Sequence, residues 1–329
     1  MSFGGSAPWS VGVEEEFFLV DARTLETVPL FSEVVPEPGP RLKPELFACI
    51  VEITTPVCTD AQGALEELRR LRREVAARAE PHRATILASA THPLAHAVDQ
   101  PIVPKQRYLD LLARIGDRVR RQLVCGLHVH VGVPSADACL RALEGVLPWL
   151  PVLLSMSPNS PFVEGEDSGL RSARAGRLEE LPSGGPPPVM RSWSDWGAVT
   201  GEDYTRLLWD ARPHPRFGTL EVRIADQQTD VRRSAGFAAL VQALVVSVVD
   251  DQREAYDRDL YSERRVRAAA VPPDPDDLAA LATLVEPAAR ALGSWALVRA
   301  LLDGRPEAER QLELGLPAAV RDIAERSLA

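Results

Sequence analysis

The sequence predicts an α+β fold, a sheet packed with helices whose strands turn acidic side chains toward one place. Three observations support this. Four apolar, β-branched runs read as buried strands yet carry carboxylates or imidazoles in their interiors. Helical segments lie between those runs, as layered packing requires. No glycine-rich turn of the dinucleotide or P-loop type follows any strand, so a doubly wound nucleotide fold has no support.

The first run, Val11 to Val20, holds Glu14, Glu15 and Glu16 in succession. Strand side chains alternate faces, so Glu14 and Glu16 share a face about 7 Å apart while Glu15 points the other way. Two carboxylates on one inward face repel unless a cation, an arginine or a shared proton intervenes. For this run alone an edge strand with a solvated acidic face is the competing reading, and Glu15 reads as a structural ion pair or a solvent-facing group. From Val28 to Pro44 the chain is proline-rich and polar, a connection rather than an element. The second run, Phe47 to Thr55, encloses Glu52, with Glu45 just upstream. Asp60 caps a helix expected over Ala61 to Glu80, whose Leu65, Leu68, Leu71 and Val75 form one apolar stripe. Thr85 to Ala90 reads as a strand and Tyr108 to Leu123 as a helix.

The third run, Leu123 to Val133, alternates His128 and His130 with valines, so both imidazoles share a face. Ser135 opens a further helix toward Leu147, and another apolar helical piece follows Pro151. Between Ser157 and Val199 the pattern dissolves into proline, glycine, serine and charge, which reads as a lid or binding loop, with disorder the competing reading. The fourth run, Gly218 to Asp226, sets Glu221, Arg223 and Asp226 along one strand, with Arg212 and Arg216 in a loop leading into it. Beyond it helices are expected over Arg232 to Asp257, Pro275 to Leu292, Trp295 to Asp303 and Pro306 to Leu328. The 329 residues are expected to form a single domain, 1–329, whose helical C-terminal part runs from about 232 to 329.

A formal net charge of −10 argues against nucleic acid and anionic membranes as partners. The N-terminal residues lack the regions of a signal peptide, and the apolar stretch Phe237 to Val249 is short and interrupted by Gln242, which points to the cytoplasm. The four cysteines form no CxxC pair and read as reduced core thiols. Cys125 and His128 fall on opposite strand faces, against a nucleophile–base pair. His82, His92, His96 and His214 carry no motif of their own and read as surface or loop histidines.

Hard oxygen donors such as Glu14, Glu16, Glu52 and Glu221, with one imidazole, suit magnesium or manganese better than zinc. Such a cluster can hold two ions about 3.5 to 4 Å apart, as in enzymes that handle phosphoryl groups. Arg223 shares a face with Glu221, where a guanidinium can grip a phosphate or carboxylate in bidentate fashion. Metal and arginine together point to phosphoryl transfer, with a metal-dependent hydrolase as the alternative. His130 reads equally as a core histidine or a catalytic one, and Arg212 and Arg216 as anion binders or loop ion pairs.

These segments in order resemble the type 2 glutamate–cysteine ligase family, the carboxylate–amine ligases of the glutamine-synthetase-like superfamily. The resemblance rests on Gly12 to Phe17, Val51 to Pro56, Thr91-His92-Pro93, Pro104 to Tyr108, Gly126 to Gly132, Asn159 to Phe162 and Arg212 to Arg223. It implies a curved, mainly antiparallel sheet whose concave face holds Mg2+ or Mn2+, ATP and an amino acid. It also implies metal-ligand positions at Glu14, Glu16, Glu52, His128 and Glu221, with Glu45 beside them. Arg223 and His130 are the implied catalytic residues, and Arg174, Arg212 and Arg216 the implied nucleotide-binding ones. The implied reaction passes through a γ-glutamyl phosphate that an amine then converts to an amide. The partners are small molecules, amino acids and amines, and a homo-oligomer is a state the resemblance allows. The sequence departs from the family pattern at Leu170, Leu178, Glu180 and Leu181, between Trp193 and Tyr204, and in the tail at Arg264 to Ala270 and Glu309 to Leu312. An altered acceptor or donor is the expectation that follows, with a non-catalytic nucleotide-binding relative as the further alternative.

Overall fold

Seven strands form one open sheet in the computed structural model, which describes residues 2–190, 192–200, 203–250 and 257–329. In chain order they are β1 (Val11–Asp21), β2 (Leu42–Pro44), β3 (Ile50–Thr54), β4 (Ala84–Leu87), β5 (Gly126–Gly132), β6 (Ala211–His214) and β7 (Thr219–Asp226). Their spatial order is β6-β7-β5-β1-β3-β2, with β4 also paired to β1, and every pairing is antiparallel. The long β1 is the organising strand, because β3 lines one of its edges while β5 and then β4 share the other.

The two faces of this sheet are covered unequally. Val11, Val13, Phe17, Val51, Ile53, Leu127, Val129, Val131 and Leu220 enter the main core with the helices α1 (Ala61–Ala79) and α3 (Ala136–Val146). Asp60 caps α1 by accepting from the Gly63 amide, and Leu65, Leu68, Leu71 and Val75 are buried as the apolar stripe requires. The opposite face is closed at one end only, where Phe18, Val20, Phe47, Ile50 and Leu87 form a smaller cluster with Val320 and Ile323. Uncovered sheet remains between that cluster and β6, and it carries the polar side chains.

Helix α7 (Val231–Val248) is buried over most of its length, packed against α1, α3 and the sheet. It and the helical segment Ala136–Met156, which runs from α3 through α4 (Leu150–Met156), are long and apolar enough to cross a membrane, yet 78% of the most apolar part of each lies inside the fold, so their apolar character is that of core helices. Helix α7 was expected to run to Asp257 but ends at Val248, and residues 251–256 lie outside the described residues. A helix absent from the sequence expectations, α8 (Arg258–Ala270), follows, then α9 (Pro275–Ala291), α10 (Trp295–Leu302), α11 (Glu307–Leu314) and α12 (Ala318–Arg326). The last expected helix is thus two, separated at Gly315, whose φ is +65°. Likewise α2 (Gln106–Ile115) stops at Gly116, with φ +73°, short of the expected Leu123.

Two stretches expected to be irregular are structured. The connection Val28 to Pro44 ends in the edge strand β2. Between Ser157 and Val199 lie α5 (Ala173–Glu179), α6 (Trp193–Thr200) and the short strand pair Phe162–Val163 with Glu166–Asp167. Ser172 caps α5 through the Ala175 amide, a signal hidden inside a polar, glycine-rich composition.

Candidate active site

Antiparallel register turns the alternation of each strand into a two-dimensional array on the uncovered face. Glu14 stands opposite His128, Glu16 opposite Glu52, and Glu52 opposite Lys43. On the other side of β1, His130 stands opposite Gly12 and Glu221, and Glu221 opposite Arg212. Two groups result, Glu14 with His128 and Glu221, and Glu16 with Glu45 and Glu52, each with ligand atoms within 4.8 Å of one another. Glu14, His128 and the whole second group line a cleft of about 1290 Å³, and Glu221 is buried beside them.

The first group is set in positive charge. Arg212 Nε donates to Glu221 Oε2 at 2.7 Å, and Arg223 also donates to the Glu221 carboxylate. A register shift between Val222 and Ala225 places Arg223 and Ile224 against the single residue His128, a bulge that aims the Arg223 guanidinium at 3.4 Å from His128 Nδ1. Burial pushes the Glu221 carboxyl up, but the charges of Arg223, Arg212 and His130 outweigh it and hold Glu221 well below the usual carboxylate range. Glu14 is held low in the same way, burial being outweighed by the neighbouring imidazoles of His128 and His130 and the charge of Lys43. Burial and the adjacent Arg223 drop His128 to about 3, which leaves a neutral imidazole with a lone pair to offer. His130 Nδ1 lies 3.0 Å from Thr219 Oγ1. Its buried Nε2 has no hydrogen-bond partner and points between Glu14 Oε2 at 3.7 Å and Glu221 Oε1 at 3.9 Å.

The second group is almost purely acidic. Burial and the neighbouring Glu52 raise Glu16 to about 7, against the opposing pull of Arg174, the Gly126 amide and Arg223. Burial, with Glu16 and Glu52 beside it, lifts Glu45 well above the usual range. Glu16 Oε2 accepts from the Gly126 amide at 2.6 Å. Residue 126 has no room for a side chain, since a Cβ there would lie 2.4 Å from Arg174 Nη2 and 2.9 Å from His128 Nε2. Buried carboxylates crowded together, one imidazole nitrogen without a partner and a neutral histidine make a donor set that fits divalent cations.

The structure thus brings Glu14, Glu16, Glu45, Glu52, His128, His130 and Arg223 to one cleft, with Glu221 buried beside them; Arg174, Arg212 and Arg216 line the same cleft, whereas Glu15, Asp226 and Cys125 do not. Glu15 faces the helices, where Arg72 Nη2 meets Glu15 Oε1 at 2.5 Å, so it is a structural ion pair. Arg212 is a strand residue of β6 rather than a loop residue, and it holds Glu221. Arg216 sits exposed in the turn after β6 at the cleft mouth, over the Phe217 ring. Arg174 is buried and spends its donors on the carbonyls of Ile224 and Arg223 at 3.2 and 3.0 Å, bracing the bulge. Asp226 returns to the same face but is consumed by Ser160, Ser172 and the Asn159 amide. Cys125 is buried, with its thiol well above the usual range.

Lys43, Arg107, Tyr108 and His214 line the cleft although sequence reasoning left them without a role there. His214 is buried and stacks on Phe217 at 4.1 Å, and His92 is also buried, bonded to the Leu25 carbonyl at 2.8 Å, so neither is a surface histidine. For Lys43 a signal existed: its even spacing from Glu45 puts it on the face of the acidic residues once Leu42–Pro44 is a strand.

The sequence profile described as glutamate–cysteine ligase family 2 matches residues 10–326. The chain belongs to that family. A Rubrobacter xylanophilus protein bearing the name glutamate–cysteine ligase 2-3 is 38% identical over 81% of this chain and 76% of its own length. A Ruegeria pomeroyi protein bearing the name glutamate–cysteine ligase 2 is 37% identical over 79% of this chain and 72% of its own. Among solved structures, the glutamate–cysteine ligase of Francisella tularensis in complex with AMP superposes with a TM-score of 0.71 at 13% identity, covering 97% of this chain and 87% of that one. The bifunctional glutathione synthetase of Pasteurella multocida gives 0.63 at 15% identity, covering 97% and 49%. The fold is glutamine-synthetase-like, and the chain is a carboxylate–amine ligase of glutamate–cysteine ligase type, an enzyme class that forms carbon–nitrogen bonds.

Proposed function

We propose that this carboxylate–amine ligase uses ATP to activate a carboxylate as an acyl phosphate and then transfers the acyl group to an amine. The observation that carries this reading is the pair of ligand groups side by side on one sheet face with Arg223 at their border. Glu14, His128 and Glu221 would hold one divalent cation, and Glu16, Glu45 and Glu52 a second. Their oxygen-rich character suits Mg2+, with Mn2+ as its substitute. Such ions supply charge neutralisation for a triphosphate and for the transferred phosphoryl group.

The chain's own residues do the rest. Arg223, fixed by Glu221 and the bulge, directs its remaining donors into the cleft toward the phosphoryl oxygens as charge shifts onto the leaving ADP. His130, anchored through Nδ1 to Thr219, turns Nε2 toward the same centre and orients the transferring group. Arg212 keeps Glu221 ionised, and Arg216 at the mouth meets the nucleotide. A substrate carboxylate oxygen attacks the γ-phosphorus and ADP departs; the amine then attacks the acyl carbon and phosphate departs. That the Francisella tularensis glutamate–cysteine ligase of the same fold was solved in complex with AMP is consistent with a nucleotide ligand for this chain.

Specificity is where this chain differs. Of the four departures between 170 and 181, Leu178 and Leu181 line the cleft, whereas Glu180 points to Arg121 at 2.6 Å. An apolar wall disfavours a second charged group on the bound substrate, so the donor or acceptor is expected to differ from glutamate and cysteine. A coupled ADP-release assay across amino acids and amines tests both levels. Release that requires ATP, a carboxylate and an amine together supports the ligase; turnover without nucleotide would replace it with a hydrolase. Strong, exclusive γ-glutamylcysteine formation would remove the altered specificity.

A further inference from the structure

We propose that Lys43 is a tethered cation built into the active site, occupying the place between the two ligand groups and so limiting them to two divalent ions. The inference rests on the metal reading above and adds a claim about number.

The geometry is specific. Lys43 stands opposite Glu52 on the edge strand β2, and its Nζ lies 2.6 Å from Glu52 Oε1 and 3.3 Å from Glu14 Oε1. It takes one carboxylate from each group. Glu14 belongs with His128 and Glu221, whereas Glu52 belongs with Glu16 and Glu45. A cation shared by one oxygen from each of two ligand sets sits where a bridging ion would sit. Lysine on an edge strand ordinarily points to solvent and discourages strand pairing. Here the head group is turned inward, and the side chain is 35% exposed, open to the cleft rather than sealed under the fold.

Charge supports the same conclusion. Glu14, Glu16, Glu45, Glu52 and Glu221 bring five carboxylates into the two groups, while Arg212 and Arg223 are both committed to Glu221. Among the described residues, Lys43 is the side chain that forms ion pairs with both Glu14 and Glu52. With two divalent ions bound it stays between them as a fixed positive charge, where a free third ion would have to compete with an ammonium it cannot dilute away.

Mn2+ titration of the full-length protein, read by calorimetry and by electron paramagnetic resonance of free Mn2+, tests this without recourse to activity. Wild type is expected to bind two ions, Lys43→Arg two, and Lys43→Met and Lys43→Gln three. Anomalous scattering from Mn2+-soaked wild-type crystals is expected to show two sites, neither touching Glu14 and Glu52 together. A third ion in wild type bridging those residues, or no third ion in folded Lys43→Met and Lys43→Gln, overturns the proposal. Should the uncharged variants unfold, the wild-type anomalous map decides alone. Binding of no Mn2+ by wild type would instead sink the metal reading itself.

Discussion

On the helix-covered face of β1, Glu15 meets Arg72, Gln227 and Ser234, while on the open face Glu14 and Glu16 meet mostly other carboxylates and imidazoles. The three glutamates are consecutive and all largely withdrawn from water. Glu15 is satisfied by the fold itself: Arg72 binds it through two nitrogens and spends its other donors on the carbonyls of Thr229, Gln228 and Ser327. Glu16 is left with Gly126, and its carboxyl rises to about 7. A buried charge completed by protein reads as structure. A buried charge left incomplete reads as a place for something that arrives later.

The comparison breaks most visibly at Arg72. Arg72→Met leaves Glu15 uncompensated in the core and is expected to cost about 3 to 5 kcal/mol in urea unfolding, much of which Glu15→Gln in the same chain restores. A single-variant loss below 1 kcal/mol would show that Glu15 is not held by this pair. Glu16→Gln is expected to do the reverse, lowering turnover by at least about a hundredfold, since even outer-shell changes at metal sites reach that scale. Its metal-free melting temperature should hold or rise as like-charge repulsion is removed. Full turnover in that variant would take Glu16 out of the site.

Proton competition sharpens the contrast at a smaller scale. With Glu16 near 7 and Glu45 raised as well, metal binding must displace protons below neutrality, so Mg2+ affinity should fall by up to roughly tenfold per pH unit for each proton displaced between pH 7 and 5. A raised folded-state carboxyl also means stability present at low pH and lost as pH rises from the unfolded value toward 7. Metal-free wild type should therefore lose melting temperature across that window more steeply than Glu16→Gln, and equal slopes would contradict the assignment. At the weak end, Arg121 and Glu180 form a half-exposed pair, and Arg121→Ala should cost under about 1 kcal/mol with unchanged turnover.

Much of the site could be read along the chain because strand alternation is local. The even spacing of Glu14 and Glu16, and of His128 and His130, placed each pair on one face before any partner strand was known. Lys43 escaped because three residues make too short a strand to show a period, and the proline-rich composition around it argued for a connection. Arg174 was named from the resemblance, but its bracing contacts were not legible: its guanidinium serves the Arg223 and Ile224 carbonyls, whose arrangement depends on the bulge in β7. The helices between Ser157 and Val199 were masked by polar, glycine-rich sequence, whose order comes from Ser172, Asp226 and neighbours buried together.

What the sequence determined by itself was the kind of side chain on each strand face, since a two-residue period is a property of extended backbone and needs no partner. Tertiary structure alone decided which strands became neighbours, which face the helices covered, and that Arg72 would pair with Glu15 while, among the described residues, no arginine forms an ion pair with Glu16. Those choices join residues hundreds of positions apart. They follow from burying the whole apolar surface at once, a condition that no local stretch of the chain encodes.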